Sequence, residues 1–269
     1  MVVQRGSWWR RAGAALGLAC LAGIAAAQQP PRPDCSRPLS LALHDHGLLY
    51  SADTSEGIDK DMADELARRS GCRFLVSLLP RARIWQLIET GALDFSLSGI
   101  SNPQRERFAG FAWYFSNKYY LLVRRDAGVQ KIEDFENNPR LQLGVIRAFR
   151  YSDSANRLVD KLDAEQRLTL SSGLPALFNA LVAGQIQGMV IEPFDYPTLE
   201  SARIRELSQI LEFGDKPVPR GLIMSRASLS EAEQAKWRAL VEGMRRDGTV
   251  QRIFEKYFKP DLARAMVQF

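Results

Sequence analysis

Trp85 to Arg105 reads WQLIETGALDFSLSGISNPQR, and Leu174 to Pro193 reads LPALFNALVAGQIQGMVIEP. Each stretch opens with apolar residues at helical spacing, stops at a glycine (Gly91, Gly184) and continues as a short apolar strand. Polar residues follow: Ser98, Ser101 and Arg105 in the first copy, Glu192 in the second. In open α/β sheets, ligands bind beyond the carboxyl ends of the strands. Two such units predict two α/β lobes that present polar groups to a shared cleft.

The rest of the chain fits around these units. Residues 1–27 read as a signal peptide: Arg5, Arg10 and Arg11 precede an apolar run, and Ala25-Ala26-Ala27 fits an A-x-A cleavage site. Cys20 offers a lipid-attachment reading, but Gly17 stands three places before it, where such signals usually carry leucine. Removing residues 1–27 leaves 33 Lys and Arg against 31 Asp and Glu, so the basic balance argues little for nucleic acid. No later run is long and apolar enough for a membrane helix. An exported protein is expected, located in the periplasm.

Strands are predicted at 39–43, 74–78, 94–98, 141–146, 167–170 and 187–191, and helices at 58–69, 81–90, 153–161 and 174–183. This alternation argues parallel sheets. YYLLVRR (119–125) carries the chain to the second lobe, and KPVPRG (216–221) brings it back. The expected organisation is residues 28–118 plus 220–269 for lobe 1 and 119–219 for lobe 2. Ser230-x-x-Glu233 is a capping box opening a helix with Trp237 on its apolar stripe, and a second helix after Gly248 is ended by Pro260. Trp85 also reads as a core residue, and Trp113, Tyr114 and Phe115 read as core or cleft lining. Cys35 and Cys72 each precede a predicted strand. If those strands are parallel neighbours, the two cysteines lie within disulfide reach; otherwise they are free thiols.

Four motifs then carry a resemblance. GIDKDMADELARRSG, LIETGALDFSLSGISNPQRERFAGFAWYF, GQIQGMVIE and MRRDGTVQRIFEKYF resemble, in order, segments of the amino-acid-type solute-binding proteins of ABC transporters, the third bacterial extracellular family. The resemblance implies a type II periplasmic binding-protein fold, two α/β lobes joined by a two-strand hinge that closes on ligand. It implies that Arg105 holds a ligand carboxylate, that Ser98, Gly99 and Ser101 line the site, and that Glu192 holds a ligand ammonium. The sequence departs from the family pattern in three places. NPQR is one residue shorter than usual, an arginine (Arg81 or Arg83) stands where an aromatic usually stacks on the ligand, and IRAFRYS (146–152) lacks the usual Gly-Thr turn.

Arginine suits a carboxylate because its planar fork makes two parallel charge-assisted hydrogen bonds. Arg107 is the rival to Arg105, and either could be a solvated surface residue. Arg81, Arg83, Arg147 and Arg150 add cations near the predicted cleft, which suggests an acidic amino acid or another organic anion as ligand. His44 and His46 flank Asp45, but a metal shell is poorly supplied, so His46 and Tyr50 read as ligand contacts instead. No metal, cofactor or catalytic group is expected, since nothing pairs a nucleophile with a base. The expected partner is an inner-membrane ABC permease served by a monomer. The alternatives are a cyclohexadienyl-dehydratase-like enzyme on the same fold and a ligand sensor for a membrane partner.

Overall fold

The strand and helix alternation folds into two separate five-stranded sheets. The computed structural model describes residues 32–269, with Met1 and Val2. The rest of the signal segment and Cys20 lie outside the described residues. Among the described residues, no helix is long and apolar enough to cross a membrane.

The first sheet is entered through β1 (Leu39–Leu43), α1 (Ile58–Ser70), β2 (Phe74–Leu78), α2 (Arg81–Thr90), β3 (Phe95–Gly99), the short α3 (Pro103–Glu106) and β4 (Ala109–Asn117). The chain crosses at 118–119 into β5 (Tyr120–Arg124), α4 (Ile132–Asn137), β6 (Leu143–Ile146), α5 (Asp153–Ala164), β7 (Leu168–Ser171), α6 (Leu174–Val182) and β8 (Gly188–Ile191). α7 (Tyr196–Leu199), α8 (Ala202–Leu207) and β9 (Ser208–Glu212) complete this half. The chain then returns through β10 (Val218–Ser225) and ends in α9 (Glu231–Arg246), α10 (Thr249–Glu255) and α11 (Pro260–Val267). The strand orders are β2-β1-β3-β10-β4 and β7-β6-β8-β5-β9. In each sheet three parallel strands meet an antiparallel strand, β10 against β3 and β5 against β8.

Local chemistry explains the elements. α1 carries Asp59 and Asp61 in its first turn and Arg68 and Arg69 in its last, which complements the helix dipole. Glu65 and Arg69 pair at 2.5 Å across one turn. Gly91 and Gly184, the stops of the duplicated pattern, both adopt the left-handed conformation, with φ of 76° and 74°. The Ser230 hydroxyl accepts a hydrogen bond from the Glu233 amide and starts α9. Trp237 on that helix is buried against Phe95, with ring centroids 4.9 Å apart.

Pro260 does more than end a helix. α10 has already stopped at Glu255, and Pro260 opens α11, where a proline at the first turn loses no intrahelical bond. Tyr114 and Phe115 are core residues of β4, whereas Trp113 is half-buried and stacks on Phe111 at 4.9 Å.

β1 and β2 are parallel neighbours, with Leu39 opposite Phe74. That register brings Cys35 and Cys72 to a Cα separation of 4.8 Å, joined by a disulfide. The bond closes a loop spanning 37 positions. In the chain-entropy account such a loop contributes up to about 4 kcal/mol by restricting the unfolded chain. The double substitution Cys35→Ser with Cys72→Ser should therefore lower the unfolding free energy by up to about 4 kcal/mol. Urea titration of variant and parent checks this, and superimposable curves would refute it.

Candidate functional site

The two sheets face each other across a cleft whose walls carry buried charge. Arg81, Arg105 and Arg220 are 4%, 8% and 2% exposed. They line one cavity, together with Ser98, Gly99 and Phe149. Its volume is about 10 Å³, room for a single water.

Each arginine is placed by its element. Asn102 caps α3 by accepting from the Arg105 amide at 2.8 Å, and Pro103 occupies the first turn, so the NPQR stretch turns Arg105 inward. The Arg105 guanidinium lies over the Trp85 ring, 3.9 Å from its centroid. It donates to the carbonyls of Ile100 and, across the cleft, Ala148, each at 2.8 Å. Ala148 adopts a left-handed φ of 61°, a conformation that costs a non-glycine residue about 1–2 kcal/mol. Here it stands where the carbonyl meets Arg105.

Arg81 opens α2 immediately after Pro80. A cation at a helix N-terminus is opposed by the dipole, and no acidic residue sits in that first turn. Arg81 donates to the Leu97 carbonyl at 3.1 Å, and its guanidinium lies 5.5 Å from the Phe149 ring centre. Burial, then the charge of Arg220, pushes Arg81 down to about 10. Burial, then Arg81 and Arg150, pushes Arg105 down to about 9. Both remain charged at neutral pH. Among the described residues, neither has a carboxylate within 4 Å, whereas Arg220 does.

Arg220 lies in β10, where the pairing with β4 slips between Arg220 and Gly221. A Cβ on Gly221 would stand 2.0 Å from the Ala112 carbonyl oxygen, so only glycine permits this irregular pairing. Arg220 donates to the Ser98 carbonyl at 3.0 Å and forms an ion pair with Glu192, which follows β8 on the opposite lobe. His46 at 2.7 Å and Asn117 at 2.9 Å also bind the Glu192 carboxylate. Burial opposes the Glu192 charge, but Arg220 and then His46 outweigh it and hold the carboxyl well below its ordinary range. Burial and the Glu192 charge, partly offset by His46, raise neighbouring Asp195.

Phe149 is a further residue of the cavity lining. Its ring lies 5.5 Å from His44 and 5.1 Å from His46. His44, protonated at Nδ1, donates to the Leu79 carbonyl at 3.3 Å. Burial, then Arg81, pushes His44 down to about 2.

Residues 46–260 match the profile of the bacterial extracellular solute-binding proteins, family 3. The chain belongs to that family. A search of curated proteins finds no match. Among solved structures, the arginine-, lysine-, histidine-binding protein ArtJ from Geobacillus stearothermophilus is 17% identical, with a TM-score of 0.70 over 85% of this chain and all of the other. An ancestral arginine-binding protein bound to arginine gives 17% and 0.69, over 84% and 100%. A histidine kinase sensor domain with similarity to periplasmic binding proteins gives 14% and 0.68, over 83% and 96%. The fold is that of type II periplasmic binding proteins.

Against the family pattern, the expected residues divide. Arg105 faces the cavity while its rival Arg107 is exposed, and Arg81 faces it while Arg83 is exposed. Gly99 lines the cavity and is also required by packing, since a Cβ there would meet Ile223 at 2.3 Å. The Ser98 hydroxyl is spent inside the protein, donating to Asp59 at 2.5 Å, with Tyr114 at 3.0 Å. Ser101 lies outside the cavity, on a groove of about 900 Å³ beside the return crossing. Tyr50 packs on the first lobe's core and pairs with His46 through the backbone. Arg147 is exposed and does not line the cavity. Glu192 stands at the cleft, where its carboxylate accepts from three protein donors, His46, Asn117 and Arg220. His46 likewise meets Glu192 rather than the cavity. Sequence reading missed the roles of Arg220, Asn117, Asp59 and Phe149, and it took Trp85 as core alone. An arginine within an otherwise apolar strand, PRGLIM, was the available signal for Arg220.

Removing one partner of a buried ion pair leaves an uncompensated charge, at a cost of about 3–5 kcal/mol. Arg220→Met should lower the unfolding free energy by about that amount. Adding Glu192→Gln should recover more than about 1 kcal/mol of it. Strict additivity in a double-mutant cycle would remove the ion pair as a stabilising unit.

His44 gives a signed pH dependence. Its folded pKa is depressed to about 2 while the unfolded value is 6.5. Below pH 6.5 the unfolded chain therefore binds the extra proton. The stability is fully present above that pH and declines as pH falls through it. Asp195, raised by burial, slopes the other way, so the comparison is variant against parent. His44→Gln should flatten the acid-side loss seen in denaturation at about pH 5 and about pH 7.5, and an unchanged slope would contradict it.

Proposed function

We propose that this protein is an exported receptor that captures a small organic acid between its lobes and delivers it to an inner-membrane ABC permease. One observation carries the reading: two buried guanidinium groups, Arg81 and Arg105, face one interlobe cavity without a carboxylate partner among the described residues. Burying a charge unpaired is costly, so these groups await an anion. The related structures support the class, since they hold arginine, glutamine, glutamate and histidine, all of which carry a carboxylate.

The cycle follows from the geometry. The lobes part, Phe149 withdraws from the cleft, and the acid seats on Arg105 above Trp85. Closure restores the contacts across the cleft, Arg105 with Ala148 and Arg220 with Glu192. A ligand that binds the closed arrangement better shifts the population toward it. The surface that changes with closure is what the permease reads.

A second reading has its own support in the sensor-domain likeness. There the closed form is read by a signalling partner in the membrane. Capture of the ligand-loaded protein by a permease or by a sensor kinase distinguishes the two.

The test is a thermal-shift screen against amino acids and small organic acids. A ligand at about a hundredfold excess over its Kd should add about 2.7 kcal/mol. Arg105→Ala should retain the fold yet lose affinity by about ten- to a hundredfold, the value of a charged hydrogen-bonded pair. Calorimetric titration showing retained affinity in a folded variant would refute the role of Arg105.

A further inference from the structure

The cavity lining is one-sided in its charge. Arg81, Arg105, Arg150 and Arg220 contribute to it, and no aspartate or glutamate does. A guanidinium carries five N–H donors. Arg81 gives one protein hydrogen bond and Arg105 two, so both retain donors. On the second lobe, Glu192 does not line the cavity and already accepts from Arg220, Asn117 and His46. On the first lobe, Asp59 lies away from the cavity and accepts from Ser98 and Tyr114. An ammonium group brought into this cavity would meet arginines and find no free acid.

We infer that the ligand is a dicarboxylate without an amino group, one carboxylate for each of the two unpartnered arginines. This rests on the organic-acid reading above and narrows it. Arg220 is the reason for the narrowing, because its guanidinium occupies the acid that a ligand ammonium would need. Two separate guanidinium groups of like charge, each depressed by the other or by Arg220, are relieved together by a ligand that carries two negative charges.

The test uses ligand pairs that differ only by the amino group: succinate against aspartate, and glutarate against glutamate. Methylphosphonate serves as a compact anion without a carboxylate. Binding to the mature protein is followed by calorimetry and by the fluorescence of Trp85, which lies beneath Arg105. The expected result is that at least one dicarboxylate binds and that its amino counterpart binds about a hundredfold more weakly, as a like charge among arginines requires. Aspartate or glutamate binding as tightly as its partner would overturn this inference and leave the organic-acid receptor standing. Binding of methylphosphonate without either dicarboxylate would overturn the two-carboxylate form. Binding of cadaverine, an amine without a carboxylate, or of nothing in the panel, would overturn the inference and the organic-acid reading together.

Discussion

A guanidinium taken out of water keeps its charge and must be answered by something. Three are buried in the cleft of this protein, and one, Arg220, is answered by Glu192 from the opposite lobe. That pair fixes much else. It recruits His46 and Asn117 to the remaining oxygen valences and sets the charge that acts on Asp195. It also joins a strand of the first sheet to the end of a strand of the second. Arg81 and Arg105 are left over, and the proposed ligand class rests on that surplus.

The positioning of the surplus arginines is conservative in its means. Asn102 and Pro103 form a four-residue helix that serves mainly to aim Arg105, and Trp85 supplies a flat face beneath it. Pro80 starts α2 so that its first residue, Arg81, enters the interior at the dipole's unfavourable end. Each device places a cation where folding alone would not favour one. Local rules are broken most often at functional sites.

Much of the fold was legible because periodicity and glycine punctuation are local signals. The helix from Arg81 to Thr90 and its stop at Gly91 needed no knowledge of the partner lobe. The parallel pairing that joins Cys35 to Cys72 followed once two strands were adjacent. The site was legible in part. Arg105 and Arg81 were visible as cations at strand and helix ends, but which of Arg81 and Arg83 or of Arg105 and Arg107 turns inward depends on packing. The partners of Glu192 were not legible, because the three lie 28, 75 and 146 positions away. α11 escaped notice because Pro260 signals a stop and a start alike.

Phe149 has a consequence for the speed of capture. Its ring stacks on His46 and is tilted against His44, with the Arg81 guanidinium beside it. On the proposed reading, a solute enters only in the fraction of time when that ring is elsewhere, and the apparent affinity is the intrinsic one scaled by that fraction. At high solute concentration the observed rate of association levels off at the rate at which the aromatic side chain vacates its place. On that reading the protein carries its own competitor, tethered to the chain, whose effective concentration does not change with dilution.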